Sequence, residues 1–263
     1  MNDAVVAALR CPLCADGLAA TPGSLRCPHG HSFDVARAGY AHLGVGRRLP
    51  AGDTPEMVAA RAGFLHHYLP VRAAVADAVP GGAALVADAG AGTGFYLSGA
   101  LDAAPDAAGL AMDVSKAALR RAARCHPRAA AVLTDLWGPL PLRDSAVDVL
   151  LNVFAPRNGP EYARILTPRG RLVVVTPLAD HLSELRAAHG LLDVDPAKEE
   201  RLATSLSAFQ ATASEDLTWP MSLTAEDVTA VVGMGPNAFH TQTRAYEPTT
   251  VTAAIRVTTY MKG

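Results

Sequence analysis

Residues Ala84-Leu-Val-Ala-Asp-Ala-Gly-Ala-Gly-Thr-Gly-Phe-Tyr96 decide how the rest of the chain is read. The apolar run from Ala84 to Ala87 predicts a short strand buried on both faces. It stops at Asp88 and passes into Gly90, Gly92 and Gly94, residues that allow positive φ and let a backbone approach a ligand closely. A helix starting at Phe95 would point free N–H groups at an anionic ligand group. A dinucleotide fingerprint, G-x-G-x-x-G, would want glycine where Phe95 stands, and a phosphate loop would want a lysine after Gly94. Two readings remain for D-x-G-x-G-x-G: a ligand loop of another kind, or a tight glycine turn that binds nothing.

The residues on either side repeat one β-then-α unit. A helix to about Ala104 leads to a second strand, Ala108 to Asp113, whose terminal carboxylate can accept both ribose hydroxyls of an adenosine. Ser115 caps a helix from Lys116 to Arg124. Ala130 to Asp135 is a third strand, and Asp135 can reach an adenine amino group. The stretch Asp144 to Phe154 holds a fourth strand, running into Asn152-Val-Phe-Ala-Pro156. Glu161 to Leu166 predicts a helix and Arg171 to Pro177 a fifth strand, with a helix over 180–192 that bears His181. From about Leu202 the pattern loosens, and Thr249 to Met261 reads as a last, antiparallel strand. Such repetition implies an α/β fold with a doubly wound, mostly parallel sheet and right-handed crossovers. Upstream, Asp53-Thr-Pro-Glu56 opens a helix to about Tyr68, and Val71 to Val79 forms another.

Composition bounds the class. The chain has 263 residues, half of them hydrophobic and 18% charged, enough for one large domain and a small appendage. No apolar run is long enough to span a bilayer and no basic segment precedes Leu9, so the expectation is a cytoplasmic protein with no membrane partner. The net charge of −2 excludes a strongly basic nucleic-acid binder, although residues 1–50 carry five arginines against three acids. Three of the four cysteines lie near the N-terminus as Cys11-x2-Cys14-x12-Cys27-x3-His31, two tight knuckles offering three thiolates and an imidazole. That closed tetrahedral set suits a structural Zn2+, with His29 as the competing imidazole. Cys125 stands alone and reads as a buried thiol.

The D-x-G-x-G-x-G segment resembles motif I of Rossmann-like S-adenosylmethionine methyltransferases. The motifs together resemble the zinc-finger rRNA guanine-N1 methyltransferases that act on 23S ribosomal RNA. They include the knuckles, Phe33-Asp34 with Gly39-Tyr40, Gly52-Asp53 with Met57 and Ala60-Arg61, and Asp88 to Gly94. Further likeness lies in Ala155-Pro156, Thr176-Pro177 with His181-Leu182, and Met234-Gly-Pro236, and Asn152 to Asn158 looks most like the actinobacterial branch. The resemblance implies a class I methyltransferase sheet with a small N-terminal zinc-binding domain: residues 1–45 for RNA recognition, 46–80 as linker and helices, and 81–263 as the catalytic domain. It implies S-adenosyl-L-methionine held by Tyr68, Gly94, Phe95, Tyr96, Asp113 and His181, with Asp88, Gly90 and Gly92 shaping the pocket and Asp135 at the adenine. Asn152, Pro156 and Asp53 are the candidates to orient or deprotonate the base, and Phe154 or Tyr40 to stack on it. The implied partner is a 23S ribosomal RNA hairpin, whose methylation in that branch confers resistance to tylosin-type macrolides; a homodimer sharing one RNA is left open. Two departures are visible: Gly233 stands where the family more often has alanine, and the segment before Tyr68 is short. The rival readings are a small-molecule methyltransferase on the same scaffold and a non-enzymatic cofactor-binding regulator.

Overall fold

The computed structural model describes residues 1–45, 49–189, 198–233 and 246–263. Arg47, Arg48 and the Met234-Gly-Pro236 segment lie outside them. The apolar runs of the middle of the chain form β5 (Leu85–Ala89), β6 (Ala108–Asp113), β7 (Ala129–Leu133), β8 (Val147–Val153) and β9 (Leu166–Pro177). All five run parallel in one sheet, as strands hydrophobic on both faces must. The sheet continues with β11 (Thr249–Lys262) antiparallel to β9, and β10 (Phe209–Leu223) antiparallel to β11. Its strand order is β10-β11-β9-β8-β5-β6-β7-β4, where β4 is Tyr40–His42. The order reverses between β5 and β8, which opens a crevice beyond their C-terminal ends.

The looser region after Leu202 holds a 15-residue strand, β10. It is the edge strand and is exposed on most of its length, so no buried alternation announced it. The helix expected to Tyr68 is broken: α2 covers Pro55–Phe64, a 3₁₀ turn covers Leu65–Tyr68, and α3 covers Leu69–Asp77. Pro70 is the reason, because its ring would clash with the carbonyl four residues back and it has no N–H to give. Of the helix expected over 180–192, the described residues show α7, Ser183–His189, with His181 in the turn before it, and 190–192 lie outside them.

Helices α2, α3, α4 (Phe95–Ala103) and α5 (Lys116–Ala122) cover one face of the sheet, packing Phe64, Val71, Leu97 and Leu119 on Val86, Ala111 and Val149. The opposite face is covered by α6 (Gly159–Ile165) together with the N-terminal residues. There Val5, Leu9, Leu25 and Phe33 pack with Leu110, Val132 and Leu150 in one core. The N-terminal segment contributes helix α1 (Asp3–Ala8), a small antiparallel sheet of β1 (Ala19–Thr21), β2 (Ser24–Arg26) and β3 (Ser32–Asp34), and β4. Through β4, paired in parallel with β7, it also adds a strand to the main sheet.

Candidate functional site

The two knuckles meet. Cys11, Cys14, Cys27 and His31 bring their ligand atoms within 4.8 Å of one another. A tetrahedral zinc with bonds of about 2.3 Å to sulfur and about 2.05 Å to nitrogen has edges of about 3.8 Å for S···S and about 3.6 Å for S···N. The structure gives 3.7 Å between the Cys14 and Cys27 sulfurs, and 3.5 and 3.3 Å from His31 Nδ1 to the sulfurs of Cys11 and Cys27. The donor set therefore fits zinc in its own edge lengths. His29, the competing imidazole, turns outward and pairs with Asp16 at 2.6 Å. With four protein donors the ion would have no open position, so its chemistry is structural.

Across the sheet, the C-terminal ends of β5 and β8 border a cavity of about 440 Å³. Six residues expected at the cofactor line it: Tyr68, Gly90, Gly92, Phe95, Tyr96 and His181. Four others stand behind or beside the wall. Asp113 ends β6, and its carboxylate oxygens accept from Gly92 N at 2.9 Å and Ser115 N at 2.8 Å. Burial holds that carboxyl above its ordinary pKa, and those backbone N–H groups oppose the shift. Gly94 caps α4 with φ of +81° and packs against Cys125 and Ala122. Asp135 accepts from Trp137 N at 3.0 Å and borders a neighbouring cleft beside the first zinc knuckle.

Asp88 is the fourth. It is 1% exposed and neither carboxylate oxygen has a partner among the described residues. Burial, with the nearby Asp113 charge, raises its pKa from 3.8 to about 8. An orphaned acid under a pocket fits a ligand that carries positive charge, as the sulfonium and ammonium groups of S-adenosylmethionine do. The proton uptake has a thermodynamic signature. Between about pH 4 and pH 8 the folded chain holds a proton on Asp88 that the unfolded chain has lost, so stability falls as pH rises through that window, by about 1.4 kcal/mol per unit. Asp88→Asn is expected to flatten this slope in the ligand-free protein, read from urea midpoints at about pH 5 and pH 7.5. A slope equal to that of the wild type would remove the assignment.

Tyr68 is boxed by rings: Phe64, Phe154, His181 and Trp219 lie 5.7 to 6.1 Å away, centroid to centroid. Ala254 N–H donates to His181 Nδ1 at 3.2 Å, so the neutral imidazole carries its proton on Nε2. Nε2 is 3.0 Å from the Tyr68 hydroxyl. The phenol oxygen thus accepts from His181, and its own hydrogen is left to donate. Burial pushes the phenol pKa well up, which keeps that hydrogen in place.

The three residues expected near the reacting base are placed differently from one another. Asn152 is fully buried, and its amide nitrogen donates to Pro156 O at 2.8 Å and Tyr162 Oη at 3.1 Å, with Ala89 O 3.3 Å away. The Pro156 carbonyl also accepts from the Tyr162 hydroxyl at 3.0 Å. Both residues hold the β8 loop in shape from inside. Asp53 forms a close ion pair with Arg61, and Arg61 lines the cavity. The sequence reading singled out neither Arg61, Phe64, Pro177 nor Leu182 for the pocket wall. Phe154 presents a 41% exposed ring at the cavity on a left-handed backbone, φ +53°. A bulky residue keeps such strain where the surroundings fix it, often at a working site.

Comparison with known proteins agrees with this architecture. Residues 9–45 match the family model for the RlmA N-terminal zinc ribbon. The structure of YcgJ from Bacillus subtilis superposes with a TM-score of 0.51 at 17% identity, covering 75% of this chain and 98% of that one. A geranyl diphosphate methyltransferase solved with S-adenosylmethionine gives a TM-score of 0.50 at 14% identity, over 81% of this chain and 93% of that one. Both likenesses concern the fold. In sequence, a 23S rRNA (guanine(748)-N(1))-methyltransferase of Streptomyces fradiae is 48% identical over 91% of this chain and 89% of its own. A Micromonospora griseorubida protein, provisionally named for the same reaction without a numbered nucleotide, is 51% identical over 96% of both chains. With such identity along nearly its whole length, zinc knuckles and cofactor pocket included, the chain belongs to the 23S rRNA (guanine-N1-)-methyltransferase family.

Proposed function

We propose that the protein methylates N1 of a guanine in a 23S ribosomal RNA hairpin loop, at the nucleotide numbered 748 in the name of its Streptomyces relative. The observation that carries this reading is the 96% span of the match, which takes in both the zinc module and the pocket. A small-molecule methyltransferase on the same scaffold would have use for the pocket alone. Bound S-adenosylmethionine supplies an electrophilic methyl group. The chain's own residues would position the two reactants: Tyr68 and His181 on the donor side, Asp113 at the ribose, and Phe154 against the guanine face. The base must leave its stack to reach the cavity. There the guanine N1 would be held for methylation and would give up its proton to an acceptor of this chain. We assign that acceptor to Asp53, whose Arg61 partner lines the cavity.

Phe154→Ala should lower kcat/KM for RNA by about 5- to 100-fold, the worth of one base–aromatic stack. The function itself is tested by incubating the protein with labelled S-adenosylmethionine and unmethylated 23S RNA, then mapping by primer extension. One stop at a guanine of a hairpin loop is expected, along with raised tolerance of tylosin-type macrolides in a susceptible host. Cofactor binding without transfer to RNA would move the assignment to a small-molecule substrate.

A further inference from the structure

Lys116, Arg120 and Arg124 recur every four residues along α5 and the turn that follows it, with Arg121 beside Arg120. That spacing sets three cations on one face, over roughly 12 Å at the helical rise. All four side chains are exposed, and none pairs with a carboxylate among the described residues. Arg61, Arg72, Arg164 and Arg256, by contrast, each hold an acid. In a chain of net charge −2, four unpaired cations on a single short element are a local excess.

The excess faces a groove. Arg120, Arg121 and Arg124 line an open channel of about 510 Å³ whose far wall is Ala62, Leu65 and Thr93 to Phe95. Leu65, Thr93 and Phe95 are also lining residues of the cofactor cavity, so channel and cavity share a wall. A cation in the last turn of a helix stabilises the helix dipole by about 0.3–1 kcal/mol. One arginine would supply that, whereas adjacent unpaired ones repel each other. Guanidinium forks suit phosphate oxygens, and repeated anions along a strand suit repeated cations along a helix.

We propose that this channel holds the phosphate backbone of the RNA substrate beside the nucleotide being methylated. It rests on the reading of the substrate as RNA. The test is the triple variant Arg120→Gln, Arg121→Gln, Arg124→Gln, measured by fluorescence anisotropy with a labelled 23S hairpin fragment over a range of KCl concentrations. Each lost phosphate contact should remove about 0.7–0.9 from the slope of log K against log salt. The expected result is a slope shallower by about 2 and an affinity at least ~10-fold weaker near 0.1 M salt. Melting temperature and S-adenosylmethionine affinity should stay as in the wild type. Arg169→Gln, at the opposite end of the sheet, serves as the control for loss of charge alone and should leave the slope unchanged. A wild-type slope in the triple variant, with RNA still methylated by the wild type, would overturn the channel and spare the function. Weakened cofactor binding in the variant would overturn it too, by giving the channel to the donor. If the wild type neither bound nor methylated the hairpin, both readings would fall together.

Discussion

Replacing Cys27 with alanine is expected to take the zinc content from one ion per chain to nearly none and to unfold much more than a finger. Structural zinc in small modules contributes about 10–16 kcal/mol, and three donors without the fourth hold it far less firmly. The sheet of β1, β2 and β3 has nine strand residues, too few to stand without the ion. The module's residues are not a free appendage, however. Leu9, Cys11, Leu25, Phe33 and Ala41 share one core with Leu110, Val132 and Leu140 of the catalytic sheet. On that face α6 alone among the crossover helices of the parallel strands covers the sheet, so loss of the module would bare β6 and β7. The predicted loss is at least ~5 kcal/mol, a fall in melting temperature on the order of 10 °C or more, and aggregation on heating. Chelation of the wild-type ion should reproduce it. Atomic absorption and differential scanning fluorimetry read both outcomes. A zinc-free variant that melts like the wild type would mean that the hydrophobic docking alone supports the module.

Gly90→Ala should abolish measurable cofactor binding, with a weakening of at least ~100-fold, about 3 kcal/mol. Gly90 has φ of +91°, where an L side chain is strained. A Cβ built there would also lie 2.4 Å from the Ala155 Cβ, against an ordinary carbon contact of about 3.5–4 Å. The glycine loop and the β8 loop, which carries Phe154, would have to part by more than about 1 Å. The same collision threatens the pose of the base, since Asn152 and Pro156 hold that loop from beneath. Gly92→Ala is the informative comparison. Its φ is +53°, yet a Cβ there meets nothing within 4 Å. It should cost about 1 kcal/mol of stability, while placing a methyl group on a residue that lines the cavity. Calorimetric titration with S-adenosylmethionine and thermal melting separate the two effects. Wild-type affinity in Gly90→Ala would sink the assignment of this loop to the donor.

The glycine loop and the repeating strands were legible because both are local. A buried parallel strand needs a continuous apolar run, and a tight turn needs residues that tolerate positive φ, so Ala84 to Gly94 and Ala108 to Asp113 carry their own signal. The zinc set was legible for the same reason: ligands three or four residues apart must share a knuckle, and four donors exclude most other chemistry. β10 was not legible, because an edge strand exposed along most of its length has no buried face to write a period-two pattern. The 3₁₀ turn over Leu65–Tyr68 was not anticipated either, although Pro70, which ends the helix, stands in the sequence.

What the sequence by itself determined was therefore the class of fold, the three cysteine donors of the metal set and a glycine loop able to approach a ligand closely. Each depends on spacing along the chain. Tertiary structure alone decided the rest, because burial and charge at a point are summed over residues far apart in sequence. It selected His31 over His29, drew Asn152 and Pro156 inward, and tied Asp53 to Arg61. It fixed the His181 tautomer through Ala254, 73 residues away. It also stripped Asp88 of partners and set the arginines of α5 along a channel that opens beside the cofactor cavity.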